Sequence, residues 1–199
     1  MSNSSAFAGA FVALLFAASC ATTRPIHYYT LAHPSGSSIQ GKTGGPTIFV
    51  GTIEAPEFLQ DARIRYRAGA NEAGAYEFER WTERPGAMVR DALVAHLRAS
   101  GQYGRVLESS GPAAGDFLVR GRLREFGEVD NPAIVTRISL HLELIDLRTN
   151  RDVSDRHYER EEPSGGKSIS DVVAAMDRNM QQVVTQAAAD IGAALAGEH

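Results

Sequence analysis

The chain has 199 residues, of which 43% are hydrophobic and 22% are charged, and its net charge at neutral pH is -4. This composition is typical of a folded globular protein, and the length suits one medium-sized domain that buries its own core. A nucleic-acid partner usually requires a basic surface that neutralises phosphates, so the acidic balance argues against that class of function.

The first 19 residues are predicted to be a signal peptide of the lipoprotein type. From Ala6 to Ala18 nearly all residues are apolar or small, and a run of about 13 residues fits a secretory signal better than a membrane-spanning helix. The run leads through Ser19 to the single cysteine, Cys20. Small residues before a cysteine resemble a bacterial lipobox, in which cleavage leaves the cysteine as the acylated first residue.

Cys20 is therefore the predicted lipidation site. Each buried methylene group contributes about 0.8 kcal/mol to membrane binding, so the two or three acyl chains of a bacterial lipoprotein hold it on the membrane almost permanently. Ala21 stands where lipoproteins retained in the inner membrane carry Asp, which favours the periplasmic face of the outer membrane. The alternative is that Cys20 is a small hydrophobic residue in a helix.

Residues 20–46 are predicted to form the lipidated N-terminus, a first strand and a flexible loop. Ile26 to Leu31 is rich in aromatic and β-branched residues, as strands are, and Gly and Ser are frequent from His33 to Pro46. Residues 47–199 are predicted to form the remainder of a single α+β domain.

Three strands are predicted next. Thr47 to Ala55 is apolar on both faces, which is typical of a central strand. Arg63 to Arg67 and Tyr76 to Trp81 alternate between apolar and charged residues, the first basic and the second acidic. We therefore expect these two segments to pair as neighbouring strands.

An amphipathic helix is predicted to begin near Thr82 or Pro85 and to end before Gly101. Proline is tolerated in the first turn of a helix, and glycine often follows the last. Apolar residues recur at helical spacing on one stripe: Met88, Val89, Ala92, Leu93 and Leu97. His96 falls on this stripe, and we expect it to be hydrogen-bonded at the edge of the core because no second ligand follows it.

The second half of the chain predicts an antiparallel meander followed by a long helix. The meander strands are Phe117 to Phe126, Ile134 to Leu147 and Asp152 to Glu162, with turns at residues 130–132 and 149–151. Ser168 and Asp171 fit a capping box at the start of the last helix, whose apolar stripe continues to Leu195. This stripe is interpreted as core packing, with contact between its final turns and a partner as the alternative.

No group of residues predicts a catalytic, cofactor or metal site. The histidines are scattered singly, and neither metal-binding spacings nor a phosphate-binding glycine loop is present. We therefore expect no enzyme activity and no cofactor. One catalytic alternative stays open, a periplasmic hydrolase whose fold would gather His141 or His157 with a carboxylate and a hydroxyl in a cleft.

Short segments recur in a characteristic order along the chain: Cys20, Tyr28 to Leu31, Ile48 to Val50, Pro56, Phe58, Leu59, Arg63, Ile64, Arg80 and Trp81, then the first helix, the strand pair and the C-terminal helix. This order resembles the ABC-type transport auxiliary lipoproteins, the PqiC-like family whose members accompany MCE-domain lipid-transport systems in Gram-negative envelopes. The resemblance extends over essentially the whole mature chain.

The resemblance implies an α+β fold, an antiparallel sheet with two amphipathic helices on one face. It also implies a non-catalytic accessory subunit, partnered by an MCE protein and an ABC permease that move phospholipid or related lipid, and it leaves homo-oligomerisation open. The residues considered as a partner or packing surface are Tyr28, Tyr29, Trp81, Arg120, Arg122 and Arg124.

Two of these groups have alternative interpretations. Tyr28 and Tyr29 either pack the first strand, the favoured interpretation, or position the domain near its anchor. The row formed by Arg120, Arg122 and Arg124 either meets lipid phosphates or an acidic protein, or is a solvated strand face, which is the commoner case.

A second functional hypothesis is an assembly lipoprotein similar to those that help to insert lipopolysaccharide into the outer membrane. That hypothesis predicts a β-barrel partner.

Overall fold

The computed structural model describes residues 24–32, 41–108, 115–130 and 132–197. The predicted signal peptide, Cys20, residues 33–40 of the predicted loop and Asn131 of the first meander turn lie outside the described residues. Within those ranges the chain forms eight strands and two α-helices: β1 (His27–Tyr29), β2 (Thr47–Glu54), β3 (Arg63–Ala68), β4 (Ala73–Trp81), α1 (Pro85–Ala99), β5 (Arg105–Glu108), β6 (Phe117–Asp130), β7 (Ile134–Asp146), β8 (Arg151–Pro163) and α2 (Ile169–Ala196).

The eight strands form one sheet in which β6 joins three parts. On one side β7 pairs with β6 along its whole length, and β8 pairs with β7, as the predicted meander requires. On its other side β6 pairs with β2 near its start and with β3 near its end. Two short arms therefore extend from this side, β2–β5 and β3–β4–β1.

The α+β class is confirmed, but the sheet is mixed rather than antiparallel throughout. The pairs β1–β4, β2–β5, β2–β6 and β3–β6 are parallel, whereas β3–β4, β6–β7 and β7–β8 are antiparallel. Parallel neighbours need a long connection that returns the chain to its starting end, and α1 lies in the connection from β2 to β5. The four-residue β5 was not predicted from the sequence.

Both predicted helices are present with the predicted ends. Pro85 occupies the first turn of α1, and Gly101 beyond its end has a φ of 65°. In α2 the Ser168 side chain accepts a hydrogen bond from the Asp171 amide, and the Asp171 carboxylate accepts one from the Ser168 amide. Helix α1 packs on β2, β5 and β6, while α2 packs on β7, β8 and α1. Neither helix is both long and apolar enough to cross a membrane, and the described residues contain no other α-helix.

The N-terminal segment ties the sheet edge to α2. Strand β1 lies beside β4, and the Thr82 amide donates a hydrogen bond to the Tyr29 carbonyl. Leu31 is then buried in the core with only 2% exposure. The amide of Ala32 donates to Asp177 of α2 at 2.7 Å, and its carbonyl accepts from Gln181. The predicted first strand is thus shorter than Ile26 to Leu31, because the chain leaves the sheet to fill the core.

Candidate interaction surface

The three aromatic residues predicted at the N-terminal edge have different environments. Tyr28 is 64% exposed and faces Arg80 across the strand pair. Tyr29 is half-buried against the core, where burial and the nearby Glu79 carboxylate raise the pKa of its hydroxyl. Trp81 is 1% exposed and meets the ring of Phe126 edge-on, with ring centroids 5.7 Å apart. Only Tyr28 is therefore largely accessible to a partner.

Two of the exposed large apolar side chains lie at this edge of the described chain. Ile26 and Tyr28 lie within its first five residues, and Phe58 is the other large hydrophobic residue described as exposed. The guanidinium of Arg24 lies over the ring of Phe78 at 5.1 Å, and that of Arg65 lies over Phe58 at 4.3 Å. This combination of aromatic rings and guanidinium groups is suited to an interface with water on one side and an apolar phase on the other.

The predicted arginine row lies on the outer face of the sheet, the face opposite the two helices. Arg120 forms an ion pair with Glu143 of β7, and Arg122 forms one with Glu54 of β2 at 3.1 Å. The β6–β7 register shifts between Leu123 and Glu125, so that Arg124 has no opposite residue in β7. Among the described residues, Arg124 has no carboxylate oxygen within 4.0 Å.

The outer face is a mosaic of both charges rather than a basic patch. Arg137 of β7 forms ion pairs with Glu125 and with Glu161 of β8, and Arg67 of β3 also reaches Glu125. Exposed pairs of this kind contribute little to stability but define a polar pattern that a protein surface can match. Sequence alternation placed the arginines correctly, but it could not show their acidic partners.

Within the described ranges, the histidines named for a hydrolase have carboxylate neighbours and no hydrogen-bonded hydroxyl. His141 and His157 face each other across β7 and β8, and His141 Nε2 lies 2.6 Å from Asp155. A shallow depression of about 400 Å³ contains His141 and the Thr52 hydroxyl. However, no hydrogen bond joins a hydroxyl to His141 or His157 among the described residues; their recorded polar side-chain partners are carboxylates. No group of three or more candidate metal ligands occurs in the described ranges.

His96 has the environment expected for a histidine at the edge of the core. It is half-buried on α1, and its Nδ1 lies 3.0 Å from the Ala92 carbonyl one turn earlier.

Two polar groups are buried where β6 and β7 meet their neighbours. The Tyr76 hydroxyl donates to Glu128 at 2.7 Å, and burial raises the pKa of both groups. Asn179 of α2 is fully buried and donates to the carbonyls of Thr136 and Arg160. The Asn179 contacts fix α2 on the sheet, whereas the Tyr76–Glu128 hydrogen bond joins β4 to β6.

A groove at the C-terminal end of α2 was not predicted from the sequence. The groove has a volume of about 670 Å³ and lies between the last turns of α2 and the segments 42–46 and 101–103. Tyr103 lines it, is 4% exposed, and has a hydroxyl without a hydrogen-bond partner among the described residues. The sequence feature that could have indicated this groove is the composition of the last turns of α2, which are mostly Ala and Gly.

Comparison with known proteins identifies the family and the fold. The family model of the ABC-type transport auxiliary lipoprotein component matches residues 29–188. The crystal structure of protein XCC0632 from Xanthomonas campestris has a TM-score of 0.70 at 21% identity, covering 81% of this chain and 92% of that one. A second crystal structure, of an uncharacterized protein, has a TM-score of 0.68 at 16% identity, covering 84% and 99%. At these identities the two structures establish a shared fold alone. No curated protein matches significantly.

Proposed function

Because this chain belongs to the family of ABC-type transport auxiliary lipoprotein components, we propose that it is a non-catalytic accessory subunit of an ABC/MCE-type lipid-transport system. In this proposal, acyl chains on Cys20 anchor it to the periplasmic face of the outer membrane. The family match over residues 29–188 carries the proposal, since it extends over all or part of every described element.

The position of the N-terminal edge supports a lipid-anchored role. Three residues lie between Cys20 and Arg24, and the four steps from one to the other span at most about 14 Å. Acyl chains on Cys20 would therefore hold Arg24, Ile26 and Tyr28 close to the lipid headgroups. Aromatic and arginine side chains are common at such interfaces, which gives the exposure of Ile26 and Tyr28 a physical reason.

The outer face of the sheet supports docking to a protein rather than to a bilayer. Arg120 and Arg122 already have acidic neighbours, so this surface offers alternating charges to a partner instead of one positive field. Arg124 is the exposed guanidinium in this row without a neighbouring carboxylate among the described residues, and it is suited to pair with an acidic side chain of the MCE protein or the permease.

Affinity purification from detergent-solubilised envelopes tests the proposal. The tagged full-length lipoprotein should co-purify with an MCE protein and an ABC permease, and mass spectrometry of its N-terminal peptide should show acylated Cys20. Co-purification of a β-barrel protein in their place would favour lipopolysaccharide assembly. An uncut N-terminus with unmodified Cys20 would contradict the anchored subunit altogether.

A charge reversal tests the docking face within the same experiment. Arg124→Glu should reduce recovery of the MCE protein by about fivefold or more, because it places a carboxylate where the partner supplies one. Arg105→Glu on β5 is the matched control, an exposed arginine outside this row, and it should leave recovery unchanged. Equal effects of the two substitutions would show that net charge, and not the outer face, matters.

A further inference from the structure

One wall of the groove at the end of α2 is held in place by backbone hydrogen bonds. The Lys42 amide donates to the Tyr103 carbonyl at 2.9 Å, and the Gly104 amide donates to the Pro46 carbonyl at 3.0 Å. The two loop segments on one side of the groove are therefore held together by backbone hydrogen bonds. A volume of about 670 Å³ with a mostly apolar lining is within the range of small-molecule sites.

The α2 side of the groove is uncharged, unlike the earlier turns of the same helix. The first turns expose charged and amide side chains such as Arg178 and Gln182, as a solvated helix face does. The last turns instead line the groove with Ala189, Gly192, Ala193 and Ala196. Asp190, the single charged residue from 186 to 197, accepts a hydrogen bond from Tyr158 of β8.

The buried, unpaired hydroxyl of Tyr103 is a second feature of the groove that indicates a ligand. Tyr103 is 96% buried (4% exposed), and its hydroxyl has no hydrogen-bond partner among the described residues. The hydroxyl lies 3.4 Å from the point that a Cβ on Gly192 would occupy, and Gln102 Oε1 lies 2.9 Å from the same point. Because Gly192 carries no side chain, the space beside the unpaired hydroxyl is taken by the flexible end of Gln102, which a ligand would displace.

We propose that this groove binds the acyl chain of a phospholipid, with the ester carbonyl accepting a hydrogen bond from Tyr103. The strip of Ala and Gly allows close contact with a methylene chain, which needs no polar partners. Among the described residues that line the groove, Lys42 is the single charged one, and its ammonium group is suited to the phosphate of the headgroup. The choice of phospholipid rests on the proposed function, whereas the groove and its unpaired hydroxyl do not.

Photo-crosslinking in the cell envelope tests the groove in the full-length protein. The photoreactive residue p-benzoylphenylalanine replaces Ala189, which is exposed and lines the groove, or Ala174, which is exposed on the same helix outside it. After irradiation, the purified protein should carry phospholipid adducts at position 189 and not at position 174, as measured by mass spectrometry. Equal lipid labelling at both positions, a protein adduct at 189, or no lipid adduct at 189 would each overturn the inference.

Two substitutions separate lipid binding from a structural role. Tyr103→Phe removes the donor, and Gly192→Ala places a methyl group beside it, against the flexible side chain of Gln102, while improving helix propensity. Each should lower the lipid adduct at position 189 by about fivefold, the loss expected for one hydrogen bond. The thermal unfolding midpoint of each variant should be unchanged or higher. A lower midpoint with unchanged adduct yield would assign the two residues to the fold alone.

The outcome is independent of the purification experiment. Lipid adducts at position 189 without an MCE protein in the eluate would support the lipid site and contradict the proposed partner system. The reverse result would support the partner system and remove the lipid site.

Discussion

The meander of β6, β7 and β8 and the arm of β1, β3 and β4 belong to one sheet but are held together differently. The meander strands have 13 or 14 residues, pair along almost their whole length, and are covered by α2. The arm ends in a three-residue strand and joins β6 through only three residue pairs. The meander thus depends on long pairings between strands that are neighbours in sequence, whereas the arm depends on short pairings between strands that are distant in sequence.

Buried polar atoms without partners divide unequally between these regions. Within the described chain, three of them belong to the arm, Arg65 Nε, Glu79 Oε2 and Trp81 Nε1, and Asn179 Oδ1 lies above the meander. Glu79 Oε2 lies 3.4 Å from His27 Nδ1, but in a geometry that makes no hydrogen bond. Unpaired buried groups cost stability, so the comparison indicates that the meander is the stable part and that the arm opens first.

The largest expected effect is from a cavity in the meander. Leu140→Ala, at a side chain only 1% exposed in β7, should lower the free energy of unfolding by about 3 kcal/mol. Chemical denaturation measures this change. The control Thr185→Ala, at an exposed position of α2, should stay within about 0.5 kcal/mol of the wild type. A small effect of Leu140→Ala would show that the meander is not the more stable region.

A cavity in the arm should act more locally. Leu31→Ala removes the buried side chain that follows β1, and it should lower the free energy of unfolding by about 2 kcal/mol. Hydrogen exchange should accelerate at the Ala32 and Thr82 amides, while β7 stays protected. Leu31→Met keeps the volume and is the control. Equal acceleration in β7 would mean that arm and meander unfold as one unit.

The start of α2 offers a smaller test, at the end of the helix that covers the meander. Ser168→Ala removes the hydroxyl of the capping box and should cost about 1 kcal/mol in denaturation experiments. Ser170→Ala, two residues into the helix and exposed, should have almost no effect. If both substitutions behave alike, the first turn of α2 contributes nothing through its cap.

The smallest effects concern pH. Burial raises the pKa of Glu128 above 4.5, so the folded state holds this proton more strongly and stability falls as pH rises from 4.5 through the raised value. Glu128→Gln should remove that fall in pH-dependent thermal unfolding.

For Asp61, which precedes β3, the pH dependence of stability has the opposite sign. Burial opposes ionisation of this carboxyl group, but Arg63 and Arg65 outweigh this and lower its pKa. Its contribution is complete above 3.8 and is lost as pH falls through the lowered value, so Asp61→Asn should flatten only the acid limb.

Local patterns predicted the elements whose partners are near in sequence. Helical spacing identified α1 and α2 with their ends, and alternation identified the meander, because each depends on residues within a few turns or one hairpin. The parallel contacts of β6 with β2 and β3 could not be predicted, since the alternation of apolar and polar residues along a strand does not show which strands are neighbours. Charge alternation likewise placed Arg122 on the outer face but could not reveal Glu54, which is 68 residues away.

The predicted surface shows the same limit. An aromatic residue in a strand fits either face, so the sequence could not separate the exposed Tyr28 from the buried Trp81. The Tyr103 groove depends on three segments that meet only in the fold. The register shift beside Arg124 also arises from pairing with β7 and has no signature in the local sequence.

The burial of Leu31 also determines which elements of the domain bear a force applied at its N-terminus. The segment from β1 to Ala32 is fixed to the sheet edge at one end and to the middle of α2 at the other. A force applied through the proposed acyl chains on Cys20 would therefore reach both the β1–β4 pair and α2. If Cys20 carries acyl chains, as proposed, the domain would also stay close to the membrane, so that a partner in that membrane would meet it at a high effective concentration.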